Sequence, residues 1–133
     1  MKDTDKIEKF NNIQKHRTGL SRLLHASKYS WTGIKDAWHE PAFRLETKLF
    51  LLSLPLSQFV GGTLMEKLLL ISSIWLLMVV EVINSAIEST IDRVGLQYHE
   101  LSRKAKDLGS ASVFMTIIFC LVVWSSIAIK NHI

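Results

Sequence analysis

The chain has 133 residues, of which 48% are hydrophobic and 21% are charged, and its formal net charge is +4. This length is enough for one small domain. The excess positive charge suits anionic lipid head groups and phosphates, and because the sequence contains no nucleic-acid-binding motif we expect no nucleic-acid partner. The single cysteine, Cys120, excludes an intrachain disulfide.

The N-terminal third of the chain is first polar and then amphipathic. Residues 1–18 mix charges of both signs without an apolar face, which predicts a flexible tail ahead of a single domain over 19–133. From about residue 20 to 46, leucines and tryptophans recur on one helical face, and this pattern predicts an amphipathic helix in a membrane interface. We expect Gly33 and Pro41 to divide it. A helix packed against its own protein would show the same pattern and remains the alternative.

Three apolar stretches carry no charge except for one glutamate: residues 49–65, 68–87 and 108–129. Because a membrane-spanning helix needs roughly 20 mostly apolar residues, we predict three transmembrane helices, over about 47–65, 67–91 and 108–129. The first is the shortest and contains Pro55, which neighbouring groups can accommodate in a membrane helix. The sequence therefore predicts an all-α membrane protein with three transmembrane helices and an N-terminal interfacial helix.

Positive charge is distributed unevenly around these stretches. The first 48 residues carry ten lysines and arginines and the 93–107 segment carries four, whereas the opposite ends offer only Lys67 and Lys130. By the positive-inside rule, the N-terminus and the 93–107 segment are cytoplasmic and the C-terminus lies outside. The basic and polar N-terminal segment also predicts that no signal peptide is present.

A polar stripe runs along the second predicted transmembrane helix. At about 100° per residue, Glu81, Asn84, Glu88 and Asp92 fall on one helical face, and Glu81 lies within the apolar stretch. Because a carboxylate in hydrocarbon is costly, we interpret Glu81 as a functional residue that faces a protein interior or a cation. Hydrogen bonding between helices is the alternative role, and for Asn84 alone it is the favoured one.

The stripe ends near basic residues on the cytoplasmic side. Glu40 and Glu88 offer oxygen ligands that suit Mg²⁺ bridged to phosphates, and a lysine such as Lys106 can neutralise a phosphoryl group during transfer. A buried carboxylate such as Glu81 suits a general base. We therefore predict phosphorylation of a membrane molecule, with a nucleotide site other than a Walker A or kinase glycine-rich loop. Three helices cannot enclose such a site from lipid, so we expect a homo-oligomer.

Most of these residues also have a purely structural interpretation. Glu88 and Asp92 could be the solvated end of a helix, and Lys106 could be an ordinary membrane anchor. His99 has no metal-ligand spacing and is more typical of a surface residue. Ser110 could simply allow close helix packing.

Several motifs together resemble the prokaryotic integral-membrane diacylglycerol kinase family, in the right order and at the right spacing. They are Tyr29-Ser30-Trp31, the runs 40–46 and 81–88, Asp92-Arg93-Val94-Gly95, and the runs 98–102 and 105–111. The resemblance extends from about Arg22 to the C-terminus. It implies a homotrimer in the bacterial inner membrane with active sites shared between protomers. It also implies transfer of the γ-phosphoryl group of MgATP to diacylglycerol, which gives phosphatidic acid.

The resemblance implies roles for individual residues. Glu81 would be the base that takes the proton from the lipid hydroxyl, Asn84 would support it, and Glu40 and Glu88 would hold the magnesium ion. The nucleotide would be contacted by Arg22, Tyr29, Glu40, Glu88, Gln97, Tyr98, His99, Lys106 and Asp107. The lipid site would be lined by Arg22, Ser30, Trp31, Glu46, Glu81 and Ser110.

Three other functions are weighed against this one. Undecaprenol kinases are related, but Asn84-Ser85 and the 98–102 loop look more like the diacylglycerol type. A small proton- or cation-coupled transporter would need access from both sides, whereas the acids here crowd one end beside cations. In a non-catalytic accessory subunit, a Glu81→Gln change would leave every activity intact.

Overall fold

The computed structural model describes residues 19–133, and within that range the chain is helical and contains no strand. The helices are α1 (Leu20–Ala37), α2 (Pro41–Val60), α3 (Leu64–Val94) and α4 (Glu100–His132). The all-helical class predicted from the sequence is confirmed. The flexible tail predicted over residues 1–18 lies outside the described residues.

The chain divides into two compact units. α1 belongs to the unit that ends at Asp36, and Ala37–Ile133 forms the second unit. Large apolar side chains of α1, among them Leu24 and Trp31, are exposed. The Lys35 ammonium lies 5.7 Å from the centre of the Trp31 ring, in a cation–π contact. An exposed apolar face beside basic residues is typical of a helix at a membrane interface.

Pro41 begins a helix. The chain leaves helical geometry at residues 38–40, and Pro41 then occupies the first turn of α2, where its missing N–H would have no helical partner. The break predicted at Pro41 is confirmed, but the break predicted at Gly33 is wrong, because α1 continues through that residue. Residues 41–46 are continuous with the first apolar stretch in one helix that ends at Val60.

Small polar side chains line the contacts among α2, α3 and α4. Ser53, Ser57 and Ser73 are at most 3% exposed. Each hydroxyl donates to the carbonyl oxygen three residues earlier, at 2.7 to 2.9 Å. The Cys120 thiol of α4 donates to the Ser73 carbonyl oxygen of α3 at 3.2 Å. Small residues let helix backbones approach closely, which is the usual packing solution for helices in a membrane.

Because α3 and α4 run antiparallel, the connections of the second unit lie at its two opposite ends. At the end that we call the turn end, residues 61–63 join α2 to α3, and a capping box formed by Thr63 and Glu66 begins α3. At the opposite end, the loop end, residues 95–99 join α3 to α4. There His99 caps α4, with its Nδ1 accepting the Leu101 N–H at 3.2 Å.

Of the described helices, α3 and α4 are long and apolar enough to cross a membrane. They contain the second and third predicted transmembrane helices. Large apolar side chains such as Trp75, Phe114 and Leu121 are exposed along them. Exposed apolar surface of this extent is costly in water and suits a lipid environment. The protein is therefore a membrane protein.

Candidate active site

The polar stripe lies on α3 and passes from the protein interior to the surface. Glu81 and Asn84 are each 7% exposed, Glu88 is half-buried and Asp92 is exposed. Glu81 is thus buried, as predicted. The two members of the stripe nearest the middle of α3 are covered by protein, which is where a polar group in an apolar helix is best tolerated.

Three other carboxylates interact electrostatically with Glu81. Its negative charge is close enough to be repelled by Glu88, further along α3, and by Glu40, at the start of α2. Glu46 of α2 is 6% exposed and also interacts with the charge of Glu81. Glu46 Oε2 is buried and has no hydrogen-bond partner among the described residues. Electrostatic repulsion therefore links carboxylates of α2 and α3 around Glu81.

Asn84 lies between the carboxylates and α4. Its Nδ2 donates to Glu88 Oε1 at 3.2 Å, while its Oδ1 is buried and unpaired within the described part of the chain. Gly109 of α4 lies directly against this amide, and a methyl group at position 109 would overlap Asn84 Oδ1. The amide is therefore fixed by Glu88 on one side and by the α4 backbone on the other.

A polar cleft of about 220 Å³ opens at the loop end, where the stripe finishes. In its wall, Lys106 Nζ pairs with Asp92 Oδ1 at 2.5 Å, which connects α4 to α3. The cleft is lined by Ile91, Asp92, Gly95, Leu96, Gln97, Tyr98, His99, Ser102, Arg103 and Lys106. Cationic groups, an aromatic ring and hydrogen-bonding groups in one cleft suit a phosphate-bearing ligand with a planar base.

The carboxylates fit a metal ion that is bound together with phosphates. Within residues 19–133, no group of three or more histidine, cysteine, aspartate or glutamate side chains is arranged to hold a metal ion. Mg²⁺ commonly takes one or two protein carboxylates and completes its octahedron with water and phosphate oxygens. Glu40 and Glu88 both act electrostatically on Glu81 and supply two carboxylates, the number that such an ion takes from protein.

The other predicted site residues divide between the two units. Those of the second unit lie toward the loop end: Glu40, Glu46, Glu81, Asn84, Glu88, Gln97, Tyr98, His99, Lys106, Asp107 and Ser110. Those of the first unit lie on α1, and the ones with described side chains are exposed: Tyr29, Ser30 and Trp31. The side chain of Arg22, also on α1, lies outside the described residues.

Two contributions to the site were missed by sequence reasoning. Gly109 could have been noticed, because a glycine within a helix costs about 1 kcal/mol relative to alanine and usually has a packing reason. Arg103 was interpreted only as part of the basic loop, yet it pairs with both Glu100 and Asp107. The spacing of three and four residues between these charges was the available signal.

Known proteins resemble this chain over most of its length. Its residues 28–128 match the family described as prokaryotic diacylglycerol kinase. The diacylglycerol kinase of Haemophilus influenzae is 47% identical over 111 residues, covering 83% of this chain and 94% of that protein. The Escherichia coli K12 protein of the same name is 45% identical over 108 residues, covering 80% and 88%. The diacylglycerol kinase of Pseudomonas aeruginosa is 40% identical over 114 residues, covering 85% and 93%.

The fold and these matches together define first a class of protein and then a family. The class is that of small helical membrane proteins with a buried acidic site, which the fold and the stripe on α3 had already indicated. The chain belongs to the prokaryotic diacylglycerol kinase family.

Proposed function

We propose that this protein is a membrane-bound kinase that transfers the γ-phosphoryl group of ATP to diacylglycerol and produces phosphatidic acid. One observation carries the proposal: Glu81 and Asn84 are buried on the face of α3 that leads to a cleft lined by Arg103 and Lys106, in a chain of the prokaryotic diacylglycerol kinase family. The family supplies the lipid substrate, and the residues supply a base, a cation site and a phosphate site within one end of the second unit.

Glu81 is the general base of the reaction. It takes the proton from the diacylglycerol hydroxyl while the hydroxyl oxygen forms a bond to the γ-phosphorus. The bond from the γ-phosphorus to the bridging oxygen breaks, ADP leaves, and the proton stays on the Glu81 carboxylate. Asn84, one turn further along α3, supports this geometry because Glu88 and the backbone at Gly109 hold its amide in place.

Glu40 and Glu88 hold the magnesium ion that accompanies ATP. When bound, the ion neutralises charge on the β- and γ-phosphoryl groups. These two carboxylates repel the negative charge of Glu81 and would supply the oxygen ligands that such an ion needs. Asn84 Nδ2 donates to Glu88 Oε1 and so helps to hold the Glu88 carboxylate in place.

The nucleotide occupies the cleft at the loop end. Lys106 supplies a positive charge to the phosphates, and Tyr98 supplies an aromatic surface. The full set of proposed nucleotide contacts is Arg22, Tyr29, Glu40, Glu88, Gln97, Tyr98, His99, Lys106 and Asp107. The proposed lipid contacts are Arg22, Ser30, Trp31, Glu46, Glu81 and Ser110. Among these, Glu46 Oε2 is a buried acceptor that still lacks a donor among the described residues, which suits a lipid hydroxyl.

The protein acts as a homotrimer in the bacterial inner membrane, with α2 as the remaining transmembrane helix and α1 in the interface. The loop end and the N-terminus face the cytoplasm, where ATP is available, and the C-terminus lies outside. This orientation is supported by the excess of lysine and arginine near the loop end and in the N-terminal segment. The exposed apolar surfaces of α3 and α4 can contact other protomers as well as lipid.

Phosphoryl transfer from labelled ATP tests the function. Purified protein in mixed micelles is offered diacylglycerol or undecaprenol, with Mg²⁺ or with a chelator. We expect labelled phosphatidic acid, and only with Mg²⁺. Labelled undecaprenyl phosphate alone would assign the related lipid kinase activity, which is the second candidate. No transfer to either lipid by a folded oligomer would refute the kinase function and favour a proton- or cation-coupled transporter that uses Glu81.

A further inference from the structure

Arg103, to which the proposed mechanism gives no role, is at the centre of a hydrogen-bonded network. Its Nε donates to Glu100 Oε2 at 3.0 Å, its Nη2 donates to Glu100 Oε1, and its Nη1 donates to Asp107 Oδ2. The Tyr98 hydroxyl donates to Glu100 Oε2 at 2.7 Å. We call these four residues the Arg103 network, and they connect the 95–99 loop to the second turn of α4.

Folding stability does not account for the Arg103 network. The side chains of Arg103, Glu100 and Asp107 are 47%, 62% and 61% exposed. Exposed ion pairs of this kind contribute little to stability because water solvates the charges well. The three charged residues also belong to one helix, so their pairing does not attach α4 to α3. That attachment is made by Lys106 and Asp92.

The network borders the proposed nucleotide cleft. Tyr98 and Arg103 both line the cleft, as does Lys106. Tyr98 and Asp107, the two ends of the network, are residues that we propose contact ATP. Through Glu100, Arg103 therefore connects Tyr98 in the cleft wall to Asp107, which lies on the second turn of α4 and does not itself line the cleft.

Charge balance gives Arg103 a second effect. Three carboxylates lie in the cleft or the network, on Asp92, Glu100 and Asp107, and the positive charges opposite them are those of Arg103 and Lys106. The phosphates of ATP are polyanionic, so uncompensated carboxylates beside them would weaken nucleotide binding. Without Arg103, three negative charges would face Lys106 alone.

We propose that Arg103 is a positioning residue of the nucleotide site, an inference that rests on the proposed function. Its planar guanidinium binds Glu100 and Asp107 at the same time, which orders Tyr98 and Asp107 before the nucleotide arrives. It also offsets the carboxylates that would repel the phosphates. The residue acts on ATP affinity and leaves the transfer step and the lipid site unchanged.

The test compares Arg103→Gln and Arg103→Lys with the wild type, and Lys104→Gln serves as a matched loss of positive charge. Lys104 is exposed on the same turn of α4 and does not line the cleft. We expect Arg103→Gln to raise the KM for ATP about tenfold, the effect of losing one charge-assisted contact. The kcat and the KM for diacylglycerol stay unchanged, and Arg103→Lys recovers part of the affinity. Lys104→Gln behaves as the wild type.

Ionic strength separates this role from a structural one. Repulsion between exposed charges is largely screened in about 0.5 M salt, where the Debye length is about 4 Å. The ratio of the Arg103→Gln KM to the wild-type KM should therefore decrease as salt is added. A merely distorted loop would give a ratio that salt does not change, and that result would overturn the charge argument.

Direct binding of a fluorescent ATP analogue, without lipid, keeps the inference apart from the proposed function. If the wild type binds the analogue but phosphorylates no lipid, the proposed function fails and the affinities of the variants still test Arg103. Equal affinities for Arg103→Gln and Lys104→Gln would overturn the inference. The inference would also be overturned if Arg103→Gln weakened nucleotide binding, raised the KM for diacylglycerol and lowered thermal stability together. That pattern belongs to a folding defect. A wild type that binds no nucleotide would refute both proposals.

Discussion

Two glutamates of α3, Glu66 at its turn end and Glu81 near its middle, have contrasting surroundings. At the turn end, both oxygens of Glu66 are satisfied: Oε1 accepts from Lys130 Nζ at 2.6 Å, and Oε2 accepts from the N–H groups of Gly62 and Thr63 at 2.8 and 3.0 Å and from Asn131 Nδ2 at 3.1 Å. Every donor there belongs to the protein. This carboxylate holds α4 to the turn between α2 and α3, and both of its oxygens are already engaged by donors of the protein.

Near the middle of α3, the surroundings of Glu81 are the reverse. The neighbouring groups are other carboxylates, and two buried oxygens, Glu46 Oε2 and Asn84 Oδ1, lack partners among the described residues. Buried polar atoms without partners are costly and infrequent in native proteins. α3 therefore carries a satisfied carboxylate at its turn end, which serves structure, and Glu81 beside unsatisfied polar atoms near its middle, which fit substrates. The following predictions test this difference.

The largest effect is expected for Glu81→Gln compared with Glu66→Gln. The two substitutions make the same chemical change on the same helix. Because the amide cannot accept the hydroxyl proton, Glu81→Gln should lower kcat by about 10³-fold, within the range for loss of a general base. Glu66→Gln should leave kcat near the wild-type value when both are assayed well below their unfolding temperatures. Equal losses of kcat would show that the two glutamates do not differ in function.

A smaller and conditional loss is expected for Glu88→Gln. The change removes one proposed magnesium ligand. It also removes the negative charge of the group whose Oε1 accepts the hydrogen bond from Asn84 Nδ2. Activity at low Mg²⁺ should decrease by about 10²-fold and should recover in part as Mg²⁺ is raised, because weakened ligation is overcome by mass action. The measurement is the Mg²⁺ concentration that gives half-maximal rate. An unchanged Mg²⁺ requirement would remove Glu88 from the metal site.

An effect of about tenfold on kcat is expected for Gly109→Ala, because the added methyl must displace the Asn84 amide from Glu88. Gly33→Ala is the matched control, since a methyl there meets nothing within 4 Å. A double-mutant cycle with Asn84→Ala sharpens the test. Once the amide is absent, Gly109→Ala should cause no further loss. Additive losses would mean that the glycine acts through backbone packing and not through Asn84.

The sequence could predict the stripe but not everything that surrounds it. Helical spacing alone places Glu81, Asn84 and Glu88 on one face, so their common location needed no tertiary information. The approach of Glu46 to Glu81 depends on how α2 crosses α3, which no spacing within a single helix determines. The break predicted at Gly33 was wrong because a glycine costs a helix only about 1 kcal/mol, and the remaining residues of α1 outweigh it.

The smallest effect is expected at the turn end, from Lys130→Met. The substitution keeps the aliphatic side chain and removes the ammonium that pairs with Glu66, while the donors at Gly62, Thr63 and Asn131 remain. Because the Lys130 side chain is 68% exposed and Glu66 keeps its other donors, the unfolding temperature in micelles should decrease by at most a few degrees, with kcat unchanged. Glu66→Gln should decrease it more, since it weakens every one of those hydrogen bonds at once. If Lys130→Met lowered kcat without lowering the unfolding temperature, the turn end would take part in the reaction, and satisfied hydrogen bonding would no longer distinguish a structural carboxylate from a functional one.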